Sequence, residues 1–137
     1  MKNLILFFAV FTACVLSSVN SKAQNNKPAV IPKPTSIEVI QFHSEHRCRT
    51  CLKIEQLTKK TLTNYFTNIP FKLVNVDEAK NAAMAEKFEA SGTALFLFDP
   101  KTGRKKDLTD FAFMKAGNEK VFENELKKYI ENFQKGL

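Results

Sequence analysis

The 137-residue chain carries 21 Lys and Arg against 14 Asp and Glu, a formal charge of +7, with 44% hydrophobic residues, three Cys, 13 Phe and no Trp. That length holds one ordinary domain and excludes two folded enzyme domains or a multi-span membrane protein, while the apolar fraction argues for a real core. No basic stripe with interleaved aromatics is present, so nucleic acid is excluded as an expected partner.

Residues 1–23 read as a cleaved secretory signal. Lys2 supplies a positive start, Leu4 to Leu16 is apolar apart from Thr12, and Ser21-Lys22-Ala23 places small residues where a signal peptidase cuts. The apolar run is short of the roughly 20 residues that cross a bilayer. The alternatives are an uncleaved anchor and lipidation at Cys14, although Phe11-Thr12-Ala13-Cys14 has Phe where a lipobox carries Leu. Cleavage after Ala23 removes Lys2, Lys22 and no acidic residue, taking the charge from +7 to +5. It also removes Cys14 and leaves Cys48 and Cys51, in an exported compartment, periplasmic or extracellular, where disulfides persist. Residues 24–35 hold Pro28, Pro32 and Pro34 and read as a semi-extended linker. The folded domain is then 36–137.

In that domain, residues 37–42 (Ile-Glu-Val-Ile-Gln-Phe) predict a mostly buried strand. A helical pattern runs from about Cys48 to Phe66, with Ile54, Leu57, Leu62, Tyr65 and Phe66 as its apolar stripe. After Pro70, residues 71–76 predict a second strand. A short Ala-rich helix over 79–90, carrying Met84 and Phe88, ends at Ser91-Gly92. Leu95-Phe96-Leu97-Phe98 fits a strand covered on both faces. Asp99 to Gly103 is a turn, and 104–108 a polar return strand at an edge, guarded by Arg104, Lys105 and Lys106. The last helix covers about 118–133, with Phe122, Leu126, Tyr129, Ile130 and Phe133 facing inward. The strand–helix–strand unit calls for parallel strands and the tight turn for antiparallel ones, giving a mixed central sheet flanked by helices.

The chemistry concentrates at Cys48-Arg49-Thr50-Cys51, a pair spaced C-x-x-C just after a strand and opening a helix. Free N–H groups and the macrodipole at a helix start favour a thiolate at Cys48. Cys51 lies one turn on, close enough to close a disulfide and to resolve a mixed one. Arg47 and Arg49 add positive charge beside Cys48, and His46 adds more when protonated.

These features resemble the thioredoxin superfamily over about Ile37 to Phe133 in motif and element order. More narrowly, Phe42-His43, Arg47-Cys48-Arg49-Thr50-Cys51, Ile54-Glu55, Val76-Asp77-Glu78 and Leu108-Thr109-Asp110 are similar to the exported ArsF-type thioredoxin-like family, whose members are described as subunits acting on nitrophenyl compounds or as associated with arsenic resistance. The resemblance implies a thioredoxin-like three-layer α/β/α sandwich with a mixed sheet of about four strands, and a redox-active pair at Cys48 and Cys51. It departs from the thioredoxin pattern in three places. Arg47 stands where Trp is usual. Thr93 occupies the place of the cis-proline, since no Pro lies between Pro70 and Pro100. Gln41-Phe42 fills the stretch of the buried Asp, leaving Glu55 as a candidate proton carrier or else a solvated helix residue.

The reading is a monomeric thiol–disulfide oxidoreductase without cofactor, no flavin-binding motif being visible. Its partners are protein or small-molecule thiols and disulfides. Cys48 attacks, Cys51 resolves, His46, Arg47 and Arg49 tune the pair, and Thr93 shapes the opposite wall. The rival is a zinc or copper accessory protein using His43, His46, Cys48 and Cys51. A third reading is an interaction module whose pair stays oxidised as a local clip.

Overall fold

The computed structural model describes residues 37–137. The expected signal sequence, the Cys14 alternative and nearly all of the segment before the first strand lie outside the described residues. Four strands form one sheet: β1 (Glu38–His43), β2 (Phe71–Asn75), β3 (Ala94–Phe98) and β4 (Lys105–Asp107), in the order β2-β1-β3-β4. β1 runs parallel to β2, with Val39 opposite Phe71 and His43 opposite Asn75. β3 is antiparallel to β1, pairing Glu38 with Phe98 and Phe42 with Ala94, and β4 is antiparallel to β3. The crossover between the parallel strands is made by α1 (Arg49–Tyr65), and α2 (Ala82–Phe88), α3 (Thr109–Lys115) and α4 (Glu119–Lys135) complete the fold.

Alternation along β1 divides the core in two. Ile37 and Val39, with Leu95 and Leu97 of β3, meet Ile54 and Leu57 of α1, Phe111 of α3 and Phe122, Leu126 and Ile130 of α4. Ile40 and Phe42 point the other way, onto Phe88 of α2 and onto Phe96 and Phe98. Helices thus cover both faces, and the chain has the thioredoxin-like α/β/α architecture that the element order predicts. β3 is buried along Leu95 to Phe98, whereas β4 is exposed throughout and polar, as an edge strand should be. Of its three basic neighbours, Lys105 and Lys106 lie on the edge. Arg104 instead stacks on the Phe133 ring, 4.1 Å from its centroid, and donates to the Phe133 carbonyl.

Several boundaries differ from the sequence expectations. The Ala-rich segment begins as a single 3₁₀ turn, Ala79–Asn81, and ends earlier than Ser91-Gly92. Glu89 adopts φ 56°, a left-handed conformation, and its N–H closes onto the Ala85 and Glu86 carbonyls. Left-handed backbone is unfavourable for a residue with a Cβ. Glu89 is exposed and its pair with Lys105 is loose at 3.6 Å. Glu89→Gly is therefore expected to stabilise the fold by about 0.5–1 kcal/mol, read as a raised urea midpoint. A helix unassigned from sequence, α3, follows β4. Tyr65 is half exposed at 49% and lies under the Lys127 ammonium, while buried Thr58 and Thr61 occupy the inward face of α1 instead. Thr61 settles there because its hydroxyl donates to the Leu57 carbonyl at 2.8 Å.

Candidate active site

Cys48 is the N-cap of α1. Its backbone is extended, at φ −75° and ψ 161°, and its Sγ accepts a hydrogen bond from the Cys51 N–H at 3.1 Å. The sulfur thereby satisfies one of the donors that a helix start leaves free. Cys48 and Cys51 are joined by a disulfide with their Cα atoms 5.1 Å apart. The two sulfurs are not equivalent to an incoming molecule: Cys48 is exposed, and Cys51 is only 6% exposed.

The preceding loop is fixed at both ends. The Glu45 N–H donates to Asp77 Oδ2 at 2.8 Å, so a carboxylate just past β2 pins the loop leading to Cys48. His43 Nδ1–H donates to the neighbouring Ser44 carbonyl at 2.8 Å, and the Ser44 hydroxyl to the His46 carbonyl at 3.2 Å. His46 and Arg49 are exposed. Arg49 makes no ion pair among the described residues. Thr93 stands one residue beyond the Phe42–Ala94 pair, hence opposite His43 at the sheet end from which the loop to α1 departs. No peptide bond among the described residues is cis.

Arg47 turns back over α1 and meets Glu55 at 2.5 Å, with the two side chains 20% and 14% exposed. Lys59 reaches the other Glu55 oxygen, also at 2.5 Å. Partial burial pushes the Glu55 carboxyl up. The hydrogen bonds from Lys59 and Arg47 and their charges outweigh it and bring the group below its usual 4.5. Glu55 is thus ionised at neutral pH, and the charge that Arg47 brings near the pair is opposed by its own counter-ion. A group whose folded pKa is lowered stabilises the fold above its unfolded value, and that contribution fades as pH falls through the folded value. Glu55→Gln should cost about 1–2 kcal/mol near neutrality, since it leaves Arg47 partly buried without its carboxylate. The gap between wild type and variant should close as urea titrations are carried down to about pH 2.

Two contributors were not assigned from sequence. Gln41, fully buried on β1, donates through Nε2 to the Cys51 carbonyl at 3.1 Å, and its Oε1 is buried without a partner. It couples the first turn of α1 to the central strand. Its signal in sequence is an amide set between apolar Ile40 and Phe42. Asp77 is the other; it belongs to Val76-Asp77-Glu78, one of the stretches that carry the family resemblance, but its reach to Glu45 spans 32 residues.

His43, His46, Cys48 and Cys51 do not form a ligand set in the disulfide form of the protein. Among the described residues no group of three or more His, Cys, Asp or Glu side chains converges as a ligand set. The two sulfurs are bonded to each other, His43 Nδ1 is engaged by Ser44, and His46 faces outward. Ligand-like spacing in sequence is therefore not convergence in space.

Beside the pair, Arg49, Thr50 and Lys53 of α1 and Phe113, Ala116 and Gly117, from α3 and the turn after it, line an open groove of about 300 Å³. Phe113 is 40% exposed there.

No family model matches the chain, and no curated protein matches it. Among solved structures, a chain described as "Structure of a malarial protein" is 24% identical with a TM-score of 0.42, over 59% of this chain and 96% of its own length. What the site does follows from its own geometry.

Proposed function

We propose that the domain is an exported thioredoxin-like thiol–disulfide oxidoreductase, with Cys48 as the reacting sulfur and Cys51 as its resolver. The observation that carries this reading is the asymmetry of the pair: an exposed sulfur capping a helix, bonded to a buried one a turn away. In the oxidised protein a substrate thiolate attacks Cys48 Sγ. The Cys48–Cys51 bond breaks, and its electron pair leaves on Cys51, which takes up a proton. A second substrate thiolate then attacks the substrate sulfur of the mixed disulfide and expels Cys48 as a thiolate. Two electrons pass from the substrate dithiol to the pair, and the reverse sequence reduces a substrate disulfide.

The helix start supports the expelled thiolate, because the Cys51 N–H already points at Cys48 Sγ. Arg49 adds an unpaired cation, and Arg47 a cation balanced by Glu55. In this reading Glu55, a carboxylate ionised between two cations, anchors Arg47. Thr93 forms the wall on the sheet side. The similarity to the ArsF-type family and the signal-like N-terminus support the exported setting.

Equilibration of the folded protein against dithiothreitol redox buffers, with the dithiol fraction counted by alkylation and mass, tests the proposal. A reversible two-electron couple is expected. A disulfide that opens only when the fold melts would overturn it.

A further inference from the structure

We infer that the groove beside Cys48 recognises an acidic segment of a partner protein: an extended peptide with an Asp or Glu close to its reactive cysteine and an apolar side chain beyond it. The inference rests on the redox reading above and names the substrate class for that same pair.

Three observations converge. The groove begins at Arg49, the residue that follows Cys48 in the chain, and so opens at the same first turn of α1 that the exposed sulfur caps. Its lining carries two cations and no carboxylate, and the first turn of α1 has no acidic residue. Arg49 has no ion-pair partner among the described residues. Lys53 has one at its rim, Glu119, at 3.5 Å, but Glu119 is also held by Lys60. The far wall is apolar and open: Phe113 is 40% exposed, and at Gly117 nothing stands within 4 Å of the space a side chain would fill. A free anion or a small anionic thiol answers the two cations but leaves the Phe113 face uncovered. A peptide answers both, with a carboxylate on Arg49 and Lys53 and an apolar side chain on Phe113. Charge complementarity here speeds encounter and fixes register.

The step is the exchange already written. The substrate cysteine, held by its neighbouring carboxylate, forms a bond to Cys48 Sγ as the Cys48–Cys51 bond breaks towards Cys51. The second substrate cysteine completes a substrate disulfide and leaves the pair as two thiols.

The full chain in its disulfide form is mixed with two dithiol peptides that differ only in Glu or Lys beside the cysteines, with glutathione, and with uncharged dithiothreitol. Rates of Cys48–Cys51 reduction are followed by alkylation and mass. The Glu peptide is expected to react at least about tenfold faster than the Lys peptide at low salt, a difference of 1.4 kcal/mol that narrows as salt is raised. Arg49→Gln with Lys53→Gln should bring the ratio within about twofold, and Phe113→Ser should slow the Glu peptide without inverting the ratio. Equal peptide rates while dithiothreitol reduces the pair normally would overturn the acidic-segment inference and leave the redox reading standing. Glutathione matching the Glu peptide would overturn it in favour of a small anionic thiol. Failure of dithiothreitol itself to reduce the folded protein would remove the redox reading beneath it.

Discussion

Cys48→Ser is expected to abolish thiol–disulfide exchange, lowering the rate by at least about 1000-fold, because no other cysteine sulfur is exposed among the described residues. Cys51→Ser should behave differently. The exposed Cys48 thiolate still attacks a substrate disulfide and expels one of its sulfurs as a thiolate, but no thiol one turn away can then displace the sulfur that stays, so a mixed disulfide accumulates and survives non-reducing electrophoresis. The contrast between the two serine variants is the informative result. A clip with only a structural role predicts that both are equally silent and that neither captures a substrate disulfide. The fold should tolerate both changes, since a three-residue separation closes too small a ring to contribute much through chain entropy. In Cys48→Ser the hydroxyl takes over as a helix cap, a place for which serine is well suited.

Phe88→Ala should cost about 3–5 kcal/mol, measured by urea unfolding. α2 has seven residues and buries only Ala85 and Phe88, so one ring anchors that layer. The Phe88 ring lies 5.3 Å from that of Phe42 and 5.1 Å from those of both Phe96 and Phe98. Truncation removes all three contacts and opens a cavity against a sheet face that no other α-helix among the described residues covers. The helix should detach before the rest unfolds, so amide exchange in α2 should rise further than in α1. Because Cys48 and Cys51 stand on a helix packed on the opposite face, exchange per folded molecule should hardly change. A parallel loss of exchange in the folded fraction would show that the two layers are coupled.

The sheet was legible in sequence because its strands are written as apolar runs. Residues 37–42, 71–76 and 95–98 each fall within one residue of β1, β2 and β3 at both ends. The site was legible for a similar reason, since a spaced cysteine pair at a strand-to-helix junction is a local feature. What sequence concealed is set by contacts between distant segments. α3 begins with polar Thr109-Asp110, and its only buried residues are Phe111 and Ala112. It is held by Phe111 against Phe122 and Tyr129, at 5.1 and 5.0 Å between ring centroids. Tyr65 fitted the 3.6-residue period but was displaced by two threonines whose burial no period reveals. Arg47 lies outside α1, so its pairing with Glu55 inside it obeys no helical spacing. Gln41, which fills the stretch of the buried Asp, is where the strand grips the helix that bears the cysteines.

The cap at Cys48 has a mechanical consequence. One sulfur both trades covalent partners and plugs the open end of a 17-residue rod. Each change of partner alters how well it plugs: a bare thiolate accepts the Cys51 N–H more strongly, and a sulfur burdened with a foreign chain accepts it less. Chemical loading is therefore transcribed into the tautness of the rod's first coil, and a magnetic resonance spectrum would register it as displacement of the Cys51 amide signal.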